Sequence, residues 1–202
     1  MPSQKYDAIV VGSGITGGWA AKELSEKGLR TLVLEAGRPI DPEKDYAEHV
    51  PTWEMKFRGM GDRKLQSKDQ AVQETCTGLD EWNSKFFVND QDNPYTTAPD
   101  QPFLWIRGRQ VGGRSIIWGR QTYRWSDLDF EANAKEGIAV DWPIRYQDIA
   151  PWYDHVEDFI GVTGQMEGLP QLPDGKFLPP MEMTCAELVV KDAVAKHFPA
   201  SA

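Results

Sequence analysis

The sequence has few of the residues from which metal centres, disulfide frameworks and membrane spans are built. Its 202 residues include 2 cysteines, Cys76 and Cys185, and 3 histidines. Two cysteines so far apart suggest neither a disulfide framework nor a zinc motif. No apolar run approaches membrane-spanning length, and the N-terminus lacks the pattern of an export signal. We therefore predict no metal site, no membrane span and a cytoplasmic location by default, with co-export to the periplasm alongside a partner left open.

Basic residues are also in the minority. The chain has 22 Lys and Arg against 31 Asp and Glu, a net charge of −9. Such a chain repels a phosphate backbone unless it has a strong local basic face, and none is visible, so we predict no nucleic-acid partner. Hydrophobic residues make up 40% of the chain, including 8 Trp, which is enough to bury a core in one domain or at most two.

The first 37 residues carry a strand, helix and strand pattern. Residues 8–11 are apolar and β-branched, which predicts a strand buried on both faces. Residues 15–27 predict a helix that Gly28 ends, and residues 31–34 predict a second strand. This is the size of one βαβ unit, so we predict an α/β fold with a Rossmann-like domain.

Glycines follow the first predicted strand directly. Gly12 allows the tight turn, Gly14 lets a pyrophosphate approach the backbone, and Gly17 allows close packing of helix on sheet. Glu35 ends the second predicted strand, 21 positions after Gly14, where a carboxylate accepts hydrogen bonds from an adenosine ribose. The pattern favours a dinucleotide over a glycine-rich turn without a ligand, but NAD and FAD share it.

Residues 39–102 are polar and show no sustained periodicity, which predicts a lid-like or arm-like insertion. Its aromatic residues predict that much of it packs onto other parts of the protein. These aromatics are Trp53, Phe57, Trp82, Phe86 and Phe87.

A second glycine pair, Gly112 and Gly113, stands among arginines in residues 107–121. Adjacent glycines allow a second close approach to an extended ligand, and arginine suits a diphosphate or a reduced flavin. A nicotinamide enzyme would continue with alternating strands and helices after Gly37, which this sequence does not. The second loop therefore favours FAD.

Helices are predicted over residues 146–160 and 186–197, with a glycine- and proline-rich linker between them. Asp148 is predicted as a cap and Pro151 as a first-turn residue. The acidic pairs predict solvated faces and caps; they are Asp127 with Asp129 and Glu157 with Asp158. The histidines His49, His155 and His197 are predicted to be surface or packing residues rather than bases.

The sequence resembles the glucose-methanol-choline (GMC) family of FAD-dependent oxidoreductases in residues 6–37, 107–119 and 142–164. Within that family it is most similar to bacterial sugar and glycoside dehydrogenases and to pyranose oxidase. The resemblance runs through nearly the whole chain. It implies a nucleotide loop, a ribose carboxylate and a flavin-side loop. Arg109 is favoured as a cofactor contact, Trp118 is left open between flavin wall and core, and Arg114 is assigned to neither cofactor nor carboxylate. The predicted cofactor-binding residues are Gly12, Ser13, Gly14, Ile15, Thr16, Glu35, Ala36, Gly37, Arg109, Gly112, Gly113, Ser115, Trp118 and Gly119.

Two departures from the family shape the expected function. Ile117 stands where members with covalent flavin have histidine, which implies noncovalent FAD. Family members are also much longer, with the substrate domain and catalytic histidine in their C-terminal half. We therefore expect residues 1–38 and 103–202 to be parts of an apparently incomplete FAD-binding domain, 39–102 to be the insertion, and no catalytic residue to lie in this chain.

The resemblance implies a whole enzyme that oxidises a secondary hydroxyl of a sugar or glycoside by hydride transfer to flavin N5. Its small-molecule substrate is the sugar or glycoside, and an electron-transfer partner or a second subunit is left open. Three alternatives stay open: an NAD-dependent dehydrogenase domain, a noncatalytic flavin-binding subunit and a truncated inactive fragment.

Overall fold

A computed structural model describes residues 5–46 and 50–198 of the chain. The chain divides into two compact units, one that ends at Gly119 and one that begins at Arg120. The strands are β1 (Ala8–Val11) and β2 (Thr31–Leu34), and the α-helices are α1 (Ile15–Glu26), α2 (Pro42–Asp45), α3 (Arg63–Asp69), α4 (Asp127–Glu136), α5 (Tyr146–Ile160) and α6 (Cys185–His197). We describe each unit separately.

The first unit begins with the predicted βαβ arrangement. Strands β1 and β2 pair in parallel, with Ala8 opposite Thr31 and Val11 opposite Leu34. Helix α1 packs against both strands. It ends one residue before the predicted end, and Gly28 just beyond it has φ +82°, a conformation that glycine adopts without steric cost. Both predicted strands and the helix between them are confirmed.

The prediction that β1 is buried on both faces is wrong. Val10 is buried beside α1, but Ile9 is 64% exposed and Val11 82% exposed. Within the part of the chain that the structure describes, the sheet has two strands. Parallel strands are normally covered on both faces, so this sheet presents an apolar face that the described residues leave open.

The polar stretch after β2 forms two short helices and several 3₁₀ turns. Phe86 and Phe87 are buried, as predicted, and Trp82 packs edge-on against Phe86. The packing prediction is wrong for Trp53, which is 76% exposed, and for Phe57, which is 44% exposed. Both lie in single 3₁₀ turns, which are too short to bury one side of the chain.

A buried glutamine ties this stretch to the backbone that leads into the second glycine pair. The Gln73 side chain is fully buried; its Nε2 donates to Asp90 (2.9 Å) and to the Trp105 carbonyl (3.1 Å). Its Oε1 accepts from the Arg107 amide at 2.9 Å. Both polar atoms of this side chain are therefore hydrogen-bonded. Gln73 thereby holds the backbone at Trp105 and Arg107, which leads to Gly112.

The second unit contains α4, α5 and α6. Helix α5 has the predicted bounds, and α6 begins one residue earlier than predicted. Asp148 caps α5 from its third position by accepting from the Arg145 amide (2.8 Å), whereas the N-cap residue is Arg145 itself. Pro151 lies inside α5, in its second turn, which corrects its placement in the first turn.

Helix α4 has no counterpart among the predicted helices. Asp129 closes its capping box by accepting from the Ser126 amide at 2.8 Å, which confirms the capping role predicted for this acidic pair. The predicted linker between α5 and α6 contains two isolated bridges, Thr163 with Leu178 and Leu169 with Leu172.

Glu157 contradicts the prediction of a solvated acidic pair. It is 1% exposed, and its carboxylate accepts two hydrogen bonds from Arg124, at 2.8 and 2.5 Å. The Lys176 amide donates to the same carboxylate at 2.9 Å. Burial was not visible in the sequence because the cation that neutralises Glu157 stands 33 positions earlier.

Two of the three histidines lie on helices that the structure describes. His155 and His197 are exposed residues of α5 and α6, as predicted, while His49 lies outside the described residues.

None of the described helices has both the length and the apolar character needed to cross a bilayer.

Candidate functional site

The loop between β1 and α1 leaves open space above its glycines. Gly12 has φ +88°, and its amide donates to the Leu34 carbonyl at 2.7 Å. A Cβ atom added to Gly12 or Gly14 would meet nothing within 4 Å. Gly14 is the N-cap of α1 and offers no side-chain cap, and the first turn has no acidic residue. The first helical N–H groups have no intrahelical acceptor, so this end of α1 suits an anion such as a diphosphate.

Gly17 has the opposite environment. A Cβ atom there would lie 2.0 Å from the Gly12 carbonyl oxygen and 3.4 Å from Val10 Cγ1. No side chain fits at such a distance from the backbone. Gly17 therefore sets how closely α1 approaches β1, and with it the position of the loop.

Glu35 lies at the end of β2, exposed beside the same loop. Its carboxylate accepts from the Ser13 hydroxyl (2.5 Å), the Ser13 amide (2.8 Å) and the Gly37 amide (2.6 Å). The hydrogen bond from the Ser13 hydroxyl, followed by those from the backbone amides, lowers the pKa of Glu35 below its ordinary value. The group is thus an ionised acceptor at neutral pH, as a ribose-binding carboxylate must be.

The second glycine pair lies directly against the first loop. The Gly112 amide donates to the Ser13 hydroxyl oxygen at 3.1 Å, across 99 positions of sequence. A Cβ atom on Gly113 would lie 3.3 Å from Gly14 Cα. Gly112 and Gly113 both have positive φ, +88° and +53°. The structure therefore brings the two glycine loops together at one place.

A further close approach was missed by sequence reasoning. A Cβ atom on Gly37 would lie 2.4 Å from the Cα of Gln110, and the Val111 amide donates to the Arg38 carbonyl at 2.9 Å. The Gln110 side chain is buried and donates to the Gly113 carbonyl at 3.0 Å. Gln110 thus supports the second loop through its hydrogen bond to Gly113. No motif in the sequence predicts this role.

An ion pair fixes the segment that follows Gly37. Arg38 forms a bidentate interaction with Asp45, with both N–O distances at 2.9 Å, and the Asp41 amide donates to the same carboxylate. The hydrogen bonds from Arg38, and then from the Asp41 amide, lower the pKa of Asp45 to about 2. This pair holds the backbone against which the second loop rests.

The pKa of Asp45 gives a pH prediction. Its folded pKa lies below the unfolded value of about 3.9, so the stabilisation it provides is complete above that value and is lost as the pH falls towards 2. We expect acid unfolding of the first unit, followed by circular dichroism, to be shallower between pH 5 and pH 2 in Asp45→Asn than in the wild type. An unchanged slope would contradict a structural role for this ion pair.

The remaining predicted site residues are placed at the margins of the two loops. Ile15 and Thr16 begin α1, Ala36 precedes Gly37, and the Ser115 hydroxyl donates to the Gly112 carbonyl at 2.6 Å. The Arg109 side chain is exposed, although its backbone packs against Gly37. Trp118 is half-buried, and Gly119 is exposed at the end of the first unit. Arg114 donates to the Ile106 carbonyl at 2.5 Å. The loops' direct contacts join Ser13 and Gly14 to Gly112 and Gly113.

Comparison with known proteins gives several distant relatives. No family model matches the chain. It is 27% identical to 2-methyl-1,2-propanediol dehydrogenase of Mycolicibacterium austroafricanum, over 85% of this chain and 27% of that protein. It is 27% identical to the fructose dehydrogenase large subunit of Gluconobacter japonicus, over 78% of this chain and 27% of that protein. It is also 27% identical to glucose dehydrogenase [FAD, quinone] of Drosophila pseudoobscura pseudoobscura, over 87% of this chain and 25% of that protein.

The chain spans about a quarter of the length of these curated relatives. The relatives are oxidoreductases of the GMC type that act on alcohols and sugars. At this identity they support the resemblance to that family only distantly. They agree with a Rossmann-like FAD-binding fold, and the described residues are rich in helix with a two-stranded parallel sheet.

Proposed function

We propose that this chain is the FAD-binding part of a flavin-dependent oxidoreductase that oxidises a secondary hydroxyl of a sugar or glycoside. The main support for the proposal is that the two glycine loops contact each other beside the ionised carboxylate of Glu35. Ser13 accepts a hydrogen bond from Gly112 while it donates one to Glu35. A ribose-binding group, a diphosphate-binding helix end and a second backbone surface are therefore contiguous.

The second loop is what favours FAD over NAD. In the βαβ unit alone, Gly12, Gly14 and Glu35 serve either dinucleotide. The Gly112 and Gly113 backbone extends this surface in a conformation that only glycine adopts freely, with φ above +50° at both positions. A longer ligand uses both surfaces, whereas the nicotinamide alternative leaves the second loop without a role.

The residue at position 117 supports noncovalent attachment of the flavin. Ile117 is half-buried directly after the 3₁₀ turn Gly113–Ile116. An aliphatic side chain cannot form a bond to the flavin ring. We propose that backbone contacts and Glu35 hold the cofactor, which supplies the redox chemistry, while a base elsewhere in the whole enzyme accepts the hydroxyl proton.

A second candidate function is a flavin-binding subunit of a larger assembly. The apolar strand residues Ile9 and Val11 are 64% and 82% exposed, which suits coverage by further protein. One relative is itself named as a large subunit. Sugar-dependent reduction of a dye by the purified chain alone would favour a complete enzyme; reduction only with a second chain or partner would favour this candidate.

Binding titrations test the proposed function. We expect the purified chain to bind FAD more tightly than NAD⁺, measured by calorimetry. Glu35→Ala is expected to weaken FAD and ADP binding about tenfold, because a hydrogen bond to a charged group is lost, and to leave FMN, which lacks the adenosine, unchanged. Glu54→Ala removes an exposed carboxylate of the same unit and serves as the control. Tighter binding of NAD⁺ than of FAD would contradict the proposal.

A further inference from the structure

The Ser13 hydroxyl stands between two groups that have separate tasks in the proposed function. On one side it donates to Glu35 at 2.5 Å, and on the other it accepts from the Gly112 amide at 3.1 Å. Ser13 is half-buried where the two loops meet. The Ser13 hydroxyl oxygen therefore links Glu35, the proposed ribose carboxylate, to the flavin-side loop through two hydrogen bonds.

The direction of these hydrogen bonds is determined by chemistry. A serine hydroxyl has one proton and two acceptor lone pairs. The ionised Glu35 carboxylate can only accept, and the Gly112 amide can only donate. The hydroxyl proton must therefore point to Glu35 and a lone pair to Gly112. Charge-assisted bonds of this kind are short, and a chain of aligned bonds is mutually strengthening.

We propose that Ser13 is a positioning residue that couples the ribose carboxylate to the flavin-side loop, so that one hydroxyl keeps both halves of an FAD site in register. This inference rests on the proposed function. It differs from a direct phosphate contact, because the Ser13 side chain is already used by protein groups on both sides.

The structure separates this coupling from the support of Glu35 itself. In Ser13→Ala the backbone amides of residues 13 and 37 still donate to Glu35, as they do at 2.8 and 2.6 Å. The Gly112 amide, in contrast, loses its acceptor. The substitution should therefore loosen the second loop while leaving the carboxylate in place.

Amide hydrogen exchange without any ligand tests the bridge directly. We expect the Gly112 amide to exchange about tenfold faster in Ser13→Ala than in the wild type, and Ser13→Thr, which keeps the hydroxyl, to restore slow exchange. Ser67→Ala is the matched control, because Ser67 also donates its hydroxyl to a glutamate, Glu74, at 2.9 Å in the same unit. Unchanged exchange at Gly112 in Ser13→Ala would overturn the inference.

Ligand binding then tests the coupling. We expect Ser13→Ala to weaken FAD about tenfold and ADP by less than about threefold, since ADP reaches only the Glu35 side. Equal weakening of both ligands would show a general structural role and overturn the inference. A wild-type chain that binds ADP but not FAD would overturn the proposed function, while the ligand-free exchange result would still decide whether Ser13 bridges the loops.

Discussion

Gly17→Ala is expected to weaken cofactor binding strongly and to destabilise the first unit. The added Cβ would lie 2.0 Å from the Gly12 carbonyl oxygen, so α1 must move away from β1. Overpacking of this kind costs about 1–3 kcal/mol, and the displacement carries with it the end of α1 that is proposed to bind the diphosphate. We expect FAD affinity to fall at least about 100-fold, since each 1.4 kcal/mol of lost binding is tenfold. Calorimetry and thermal unfolding measure the two effects.

Two neighbouring glycines provide matched controls for this result. Gly18→Ala adds its methyl group to open space one residue further along α1, so it should bind FAD normally and be slightly more stable, by about 0.5–1 kcal/mol. Gly14→Ala also meets no protein atom, but its methyl group enters the space proposed for the diphosphate. It should fold with a stability within about 1 kcal/mol of the wild type and lose FAD binding.

This set of variants separates packing from ligand contact. Wild-type affinity for FAD in Gly17→Ala or in Gly14→Ala would contradict the proposed site. The proposed site would also be contradicted if Gly18→Ala were as damaging as Gly17→Ala, because the two positions differ in the structure mainly in the room around them.

Glu157→Gln is expected to be the most destabilising single change in the second unit. The substitution removes the negative charge that faces the Arg124 guanidinium and keeps the shape of the side chain. Arg124 is buried, with its side chain 4% exposed. In the wild type the hydrogen bonds from Arg124, first of all to Glu157 and then to Asp154 and Tyr146, raise the pKa of Arg124. A guanidinium stays protonated in proteins even without such partners, so the cation cannot neutralise itself when the charge of Glu157 is removed. Breaking a buried pair by removing one partner typically costs about 3–5 kcal/mol. We expect a loss near the lower end, roughly 3 kcal/mol, because Asp154 remains bonded to Arg124.

Asp158→Asn is the control for this prediction, since it removes the adjacent carboxylate from an exposed position. Its stability should lie within about 0.5 kcal/mol of the wild type. Denaturant unfolding of both variants gives the comparison. Equal stability of Glu157→Gln and Asp158→Asn would contradict the buried ion pair.

The βαβ unit could be predicted from the sequence because its signals are local. The apolar run of β1, the glycines after it and Gly28 after α1 lie within the elements that they define. The bounds of α5 could also be predicted, since its apolar residues recur with helical periodicity. Such patterns need no knowledge of distant parts of the chain.

Other features depend on contacts across the chain, which a sequence pattern does not contain. Glu157 was expected in solvent because it stands beside another acid, and its burial is explained only by Arg124. Gln110 is likewise buried, and its backbone lies close to that of Gly37, a contact across more than 70 positions that no local pattern predicts. Whether Ile9 and Val11 are buried depends on what covers the sheet, and strand composition alone does not contain that information.

The candidate site was predicted in part. Residues 12–14 and Glu35 were identified from a motif with a physical rationale, and the structure places them around one open loop. The second loop was associated with them by its glycines and by family resemblance, and the structure adds the contact from Gly112 to Ser13. The bridging role of the Ser13 hydroxyl could not be foreseen, because it requires two partners that are 22 and 99 positions away.

Amide hydrogen exchange of the wild-type chain with increasing FAD is the most direct test of the central claim, that two glycine loops form one cofactor-binding surface. We expect residues 12–18 and residues 110–117 to become protected together, with the same dependence on FAD concentration. Protection confined to residues 12–18, or absent from both segments at saturating FAD, would contradict this claim.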